Sequence, residues 1–265
     1  MSASPETASL AVSPPLPLAA PIVPRPPRIW YFWGSAAFVL LAFLANTLAG
    51  GALFFAILVW HDVPATTLQE IIALAHQRGW IELVMIAATP FTLAVLWGAT
   101  RLARQRFSDY LALRWPERGE LVRGLAMVLA LLLAWVLFGW AIGQKSSAFV
   151  LDTYRNATAN GWLPVLVIGL CVAAPLSEEF VMRGFLLRGW SQSFLRPLGA
   201  IVLSSAVWTV LHTQYDWFYL SEIFSIGLLL GYLRHRSGST WLTVVLHATI
   251  NAIALIEVAV ILAYR

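Results

Sequence analysis

The sequence predicts an all-α, polytopic transmembrane helical bundle of about seven spans. Of its 265 residues, 60% are hydrophobic and 11% charged, with a mean hydropathy of +0.76. A soluble domain of this length would carry roughly a quarter charged residues to cover its surface. The apolar residues are gathered into long runs, and about 20 of them suffice for one helical crossing, so the length accommodates roughly seven or eight crossings. No soluble catalytic domain fits beside them, and any chemistry must sit within the bilayer or at its edge. The pI of about 9.6 does not indicate nucleic acid as a partner, because the basic residues are scattered between apolar runs. The single Cys171 excludes an internal disulfide framework and a multi-cysteine metal cluster.

Residues 1–28 are Pro-rich and are expected to form a disordered cytoplasmic tail. They do not have the form of a secretory signal peptide, since Arg25 and Arg28 follow the weakly apolar stretch and the only earlier charge is Glu6. Residues 29–160 are expected to hold N-terminal transmembrane helices with a basic cytoplasmic loop, and residues 161–265 a transmembrane core. The apolar runs fall at Trp30–Trp60, Trp80–Thr100, Leu121–Ile142, Trp162–Leu187, Leu198–His212, Trp217–Leu233 and Trp241–Ala263. The first would extend about 46 Å as a helix, which suits one tilted span better than a hairpin. Its Gly50-Gly51 pair then marks a bend or a close helix contact.

With a cytoplasmic N-terminus, the inner side receives the basic residues at 25, 28, 101–123, 188, 196, 234 and 236. The outer side receives only Arg78, Lys145, Arg155 and Arg265. That asymmetry is the positive-inside pattern, and splitting the first run would place the Arg101–Arg123 cluster outside. The stretch Arg101–Trp115 reads as either an amphipathic surface segment or a plain basic loop. Trp30, Trp33, Trp80, Trp162, Trp217 and Trp241 stand near predicted span ends, as interfacial aromatics do.

An ionisable side chain in hydrocarbon costs about 2.5 kcal/mol or more, so each one must be paired, face a wet cavity or perform a task. The fourth span contains Ser177-Glu178-Glu179-Phe180-Val181-Met182-Arg183. Glu179 and Arg183 are one helical turn apart in the favourable order, and Glu178 is rotated about 100° away without a local partner. Such a Glu is suited to general-base or general-acid work. The fifth span ends in Trp208-x-x-x-His212 and the seventh holds His247-x-x-x-Asn251, each pair sharing one helix face.

A Glu, two His and an Asn can activate water and stabilise an oxyanion without a serine or cysteine nucleophile. Alternatively, Glu178, His212 and His247 can hold a divalent metal such as zinc with an open position. The competing structural readings are a buried ion-pair triad for Glu178, Glu179 and Arg183, an interfacial histidine for His212, and an interhelical hydrogen-bonded pair for His247 and Asn251. Ser177 lacks a Lys or a Gly-framed elbow and is not read as a nucleophile. Glu222 and Glu257 are expected to line a polar vestibule or pack together. Straight helices would leave Glu178 and His247 about 10 Å from the inner boundary and His212 about 20 Å from it. Tilt, or a break at Pro175, is therefore required for a shared site.

Together, Glu178-Glu179-x-x-x-Arg183, Trp208-x-x-x-His212 and His247-x-x-x-Asn251 resemble the three motifs of the type II CAAX prenyl endopeptidase and bacteriocin-processing (CPBP, abortive-infection-related) intramembrane protease family. The Ser108–Arg114 segment is also similar to that family's loop before its core. The resemblance implies an α-helical membrane endopeptidase in which Glu178 activates water with His212, and His247 and Asn251 bind the oxyanion. Glu179 and Arg183 become the partly structural remainder of the site. The family is usually labelled a metalloprotease, although a metal-free glutamate mechanism is also held for it. The second motif normally begins with Phe, and Trp208 departs from that, which bears on substrate fit.

The expected partners are a peptide or membrane-protein substrate and the lipid bilayer, with no nucleic acid. The near-exclusive use of Arg over Lys suggests a bacterial inner-membrane setting, where a leader peptide or membrane protein is at least as natural a substrate as a prenylated C-terminus. The competing functions are a non-catalytic immunity or scaffold protein and a proton-coupled transporter, whose buried Glu and His would relay protons.

Overall fold

A computed structural model describes residues 28–63 and 67–264. The expected disordered tail lies outside the described residues, apart from Arg28. Among the described residues the chain is helical without strands. The long helices are α1 (Tyr31–Trp60), α3 (Trp80–Leu102), α5 (Arg118–Ala141), α7 (Leu163–Ser191), α9 (Trp217–Ser237) and α10 (Thr240–Ala263). Between them lie α2 (Leu68–Gln77), α4 (Phe107–Tyr110), α6 (Ala148–Ala159) and α8 (Arg196–Val210). This is an integral membrane protein, and α1, α3, α5, α7 and α10 are each long and apolar enough to cross a bilayer.

The other two predicted spans differ from that standard for separate reasons. α8 has only 15 residues, about 22 Å of helix against a hydrocarbon core of about 30 Å. It packs along α9, which is 21 residues long but carries Glu222, Arg234 and Arg236. The first run is one continuous helix packed along α3. A Cβ on Gly50 would lie 3.3 Å from Val84, so this glycine sits at a close approach of the two helices. Trp33 and Trp217 are exposed, but Trp80 and Trp162 are buried inside the bundle. Trp162 donates its indole N–H to the Gln77 carbonyl at 2.8 Å, because a buried indole N–H needs an acceptor.

The Arg101–Trp115 stretch adopts neither expected form. Tyr110 and Leu111 are fully buried, and the segment plugs the end of the bundle where α7 and α9 stop and α10 begins. Its carbonyls take up side-chain and backbone donors. Arg188 donates to the Tyr110 carbonyl at 2.8 Å, the Thr240 backbone N–H to that of Ala112 at 3.0 Å, and Ser239 to that of Arg114 at 2.6 Å. Ser239 also caps α10 by accepting from Leu242 N–H, and Asp216 caps α9 by accepting from Phe218 and Tyr219 N–H.

The same connections align the motifs. The turn after Ser191 folds α8 back along the end of α7. Glu178 lies about 20 Å before that turn and Trp208 about 18 Å after its end, so they reach matching depth. α7 also extends past the predicted boundary at Leu187 to Ser191, which removes most of the depth mismatch that straight spans imply.

Candidate active site

α7 is not a regular helix. It contains two π-helical stretches, Gly169–Ala173 and Phe180–Leu186, on either side of Ser177-Glu178-Glu179. In the first, the Ala174 N–H bonds back to the Gly169 carbonyl, so the next donor in register for the Leu170 carbonyl would be residue 175. That residue is Pro175, which has no N–H. The Leu170 carbonyl is instead satisfied by the Asn251 amide, whose Nδ2 donates to it at 2.7 Å. Asn251 thus ties α10 to the irregular turn just before the glutamates. Asn251→Ala should leave that carbonyl unpaired and cost about 1–3 kcal/mol of stability, read as a lower unfolding temperature in detergent.

Glu179 and Arg183 are almost completely inaccessible. The Glu179 carboxylate accepts from Arg183 Nη1 at 2.7 Å and from His247 Nδ1 at 2.9 Å, both on Oε1. Its Oε2 has no hydrogen-bond partner among the described residues. Arg183 also donates through Nη2 to the Gly227 carbonyl at 3.4 Å on α9, and its guanidinium lies 4.5 Å from the Trp208 ring centre. Gly227 also lets α8 pack closely on α9, since a Cβ there would lie 2.9 Å from Ser205 of α8. One carboxylate and one guanidinium therefore join α7, α9 and α10.

Glu178 is half-buried, and its partner is Trp208, whose indole N–H donates to the carboxylate at 2.6 Å. The indole also packs edge-on against His212 at 5.1 Å and against His247 at 5.3 Å. Trp208 is the hub of the site: it touches Glu178, Arg183, His212 and His247.

Both histidines have a defined orientation. His212 follows the end of α8, and its Nδ1 lies 2.8 Å from the Trp208 carbonyl, one of the terminal carbonyls that a helix leaves without a regular partner. A carbonyl can only accept, so Nδ1 carries a proton, and the tautomer this selects has its lone pair at Nε2. The Glu179 carboxylate acts on His247 in the same way, placing the proton on Nδ1 and leaving Nε2 for other chemistry. In the turn after His212, Tyr215 stacks on the imidazole at 6.3 Å. Burial and then the neighbouring Glu178 push its phenol up to about 12, so Tyr215 adds no charge to the site at working pH.

The sequence-derived residues are thus gathered on one indole and one buried carboxylate, with Asn251 one contact away through Leu170. Helical spacing places Trp208 on the face of His212 but does not identify it as the donor to Glu178. The available signal was chemical, since an indole N–H on the face shared with His212 needs an acceptor when buried. Trp208→Phe keeps a ring but removes that donor. It should slow any Glu178-dependent reaction by about tenfold or more, measured as kcat at matched protein abundance.

Ser177 donates to the Ala174 carbonyl at 3.2 Å within its own helix. Glu222 is half-buried on α9 and Glu257 exposed on α10, within electrostatic reach of one another. Among the described residues, no three His, Cys, Asp or Glu side chains stand close enough together to hold a metal ion. Glu178, His212 and His247 therefore do not form a ligand shell in this arrangement.

Residues 160–253 match the family model described as "Type II CAAX prenyl endopeptidase Rce1-like". The match takes in all three motifs. The chain is also 28% identical over 123 residues to an "Uncharacterized 24.3 kDa protein" of Escherichia coli, an alignment covering 45% of this chain. It spans 56% of the length of that curated relative. No solved structure is significantly similar to the chain.

Proposed function

We propose that this protein is an intramembrane endopeptidase that hydrolyses a peptide bond of a membrane-associated or leader-type substrate with water activated by Glu178. The observation that carries the reading is the Trp208 hub. It holds a half-buried carboxylate, and two imidazoles with their Nδ1 atoms occupied, around one low-dielectric site. The match of residues 160–253 to a protease family supports the same reading.

In this mechanism water donates a hydrogen bond to Glu178 and another to the Nε2 lone pair of His212, which fixes its direction of attack. As water adds to the substrate carbonyl, its proton passes to Glu178. Oxyanion stabilisation is assigned to His247, which performs it when Nε2 carries a proton in addition to the Nδ1–H that the Glu179 carboxylate holds at 2.9 Å. Cleavage of the C–N bond follows, with the proton returning from Glu178 to the leaving amine. Asn251 acts as a positioning residue through Leu170 rather than as a direct oxyanion donor. The steps use only this chain's own residues, and the chelator arm of the test below decides whether a metal is required.

Beside α10 lies an open apolar groove of about 620 Å³, lined by residues that include Cys171, Trp241, Val244, Ala248 and Ala252. We assign the apolar flank of the substrate to it. The protein works in a bacterial inner membrane with its N-terminus cytoplasmic.

The test is to profile new termini in membrane proteins exposed to wild-type protein or to Glu178→Gln protein, with and without chelator. Products present with wild type, absent with the variant and indifferent to chelator would support the mechanism as written. Their loss on chelation would replace it with a metal-dependent one. An unchanged product set for the variant would favour the scaffold or transporter alternatives.

A further inference from the structure

A second polar cavity, of about 220 Å³, opens at the basic end of the bundle. Arg183, Arg188, Arg234 and His235 line it together with the neutral donors Ser191 and Gln192, and no Asp or Glu does. Arg188 is fixed in place, its guanidinium donating to the Asp109 and Tyr110 carbonyls and to Gln105 Oε1. Arg234 is held through Nε, which donates to Thr240 Oγ1 at 2.8 Å. Its two terminal amino groups have no protein acceptor among the described residues.

Arg234 lies within electrostatic reach of Arg188 and Arg114, both cations. Asp109 is within reach of Arg188 but forms no ion pair with it, and no carboxylate pairs with Arg234 among the described residues. Arg183 is paired with Glu179, but the fold holds the Arg188 and Arg234 guanidinium groups at one cavity with no carboxylate ion-paired to either among the described residues. Planar guanidinium forks match phosphate oxygens in charge and spacing.

We propose that this cavity binds a phosphate group, supplied by the headgroup of an anionic phospholipid. α7 and α9 both terminate here, as helices do at the headgroup level, and basic pockets between transmembrane helices at such ends suit lipid phosphates. Phe194 and Leu198, in the turn beside Ser191 and at the start of α8, are strongly exposed apolar residues that would lie against the acyl chains. Arg183 lines this cavity and also holds Glu179, so an occupant would abut the back of the catalytic cage. The proposal stands whatever the site hydrolyses.

The experiment is binding to the purified full-length protein in detergent, with spin-labelled phosphatidylglycerol as one probe and inorganic phosphate as another. Phosphatidylglycerol is expected to bind saturably. Arg234→Gln, which can still bond to Thr240, should weaken binding by about tenfold. Arg234→Lys should retain most of it, and Arg236→Gln, an exposed arginine outside the cavity, should retain all of it. Binding of inorganic phosphate with the same Arg234 dependence, but not of lipid, would keep the phosphate site and overturn its lipid source. Non-saturable lipid association, or equal losses in Arg234→Gln and Arg236→Gln, would overturn the proposal. If the Arg234 variants fail to fold, displacement of the lipid from wild-type protein by phosphate but not by acetate serves instead, and displacement by acetate alone contradicts it.

Discussion

Glu178→Gln is expected to insert and fold like the wild type and to cleave substrate about 100- to 10,000-fold more slowly, the range that a positioned general base contributes. The substitution is nearly isosteric, and the Gln side-chain oxygen can still accept the Trp208 N–H that now bonds Glu178 at 2.6 Å. Geometry is therefore preserved while the group that takes the proton from water is lost. Glu178 is only half-buried and holds no ion pair among the described residues, so its neutralisation leaves no orphaned charge there. Unchanged thermal unfolding combined with lost cleavage is the expected pair of readings.

Glu179→Ala should give the opposite balance. This carboxylate is fully buried and is the acceptor for both Arg183 and His247. Removing it leaves a guanidinium uncompensated in the protein interior, a change that typically costs about 3–5 kcal/mol. The expected result is a large loss of folded protein from membranes and a markedly lower unfolding temperature for what remains. Removing both charges together, as Glu179→Gln with Arg183→Met, should recover much of that stability, because a buried ion pair contributes little net energy once its desolvation is counted. Cleavage should stay impaired in the double variant, since His247 would have lost the carboxylate that fixes its orientation through Nδ1. Adjacent glutamates would thus be separated experimentally, one by activity and the other by stability.

The helical architecture was legible because hydropathy runs are long and few charges interrupt them. What was not legible was where α8 ends. The run to His212 reads as one apolar segment, but the helix stops at Val210, and the His212 ring turns back onto the Trp208 carbonyl. Hydropathy does not distinguish a short helix packed on a neighbour from a full crossing.

The pairing of Glu179 with Arg183 follows from one-turn spacing and is visible in sequence. The partnership of Glu178 with Trp208 is not, because it depends on two helices folding back at Ser191 so that residues 30 positions apart meet at one depth. Pro175 drew attention as a potential break. Its consequence is more specific, a missing N–H that the Asn251 amide replaces. Likewise, the Arg101–Trp115 segment carries the charge of a surface element, yet its carbonyls are used to dock the ends of α7 and α10, and charge patterning contains no record of that.

The central claim is that Glu178 and His212 act on one water molecule in one site. It is tested most directly by a double-mutant cycle on the cleavage rate, comparing Glu178→Gln, His212→Ala and the combination in protein of equal abundance. Groups that act as a unit give losses that do not add. The combined variant is therefore predicted to be no slower than Glu178→Gln alone. A combined loss equal to the product of the two single losses would contradict the account, because it would mean that the two residues act independently.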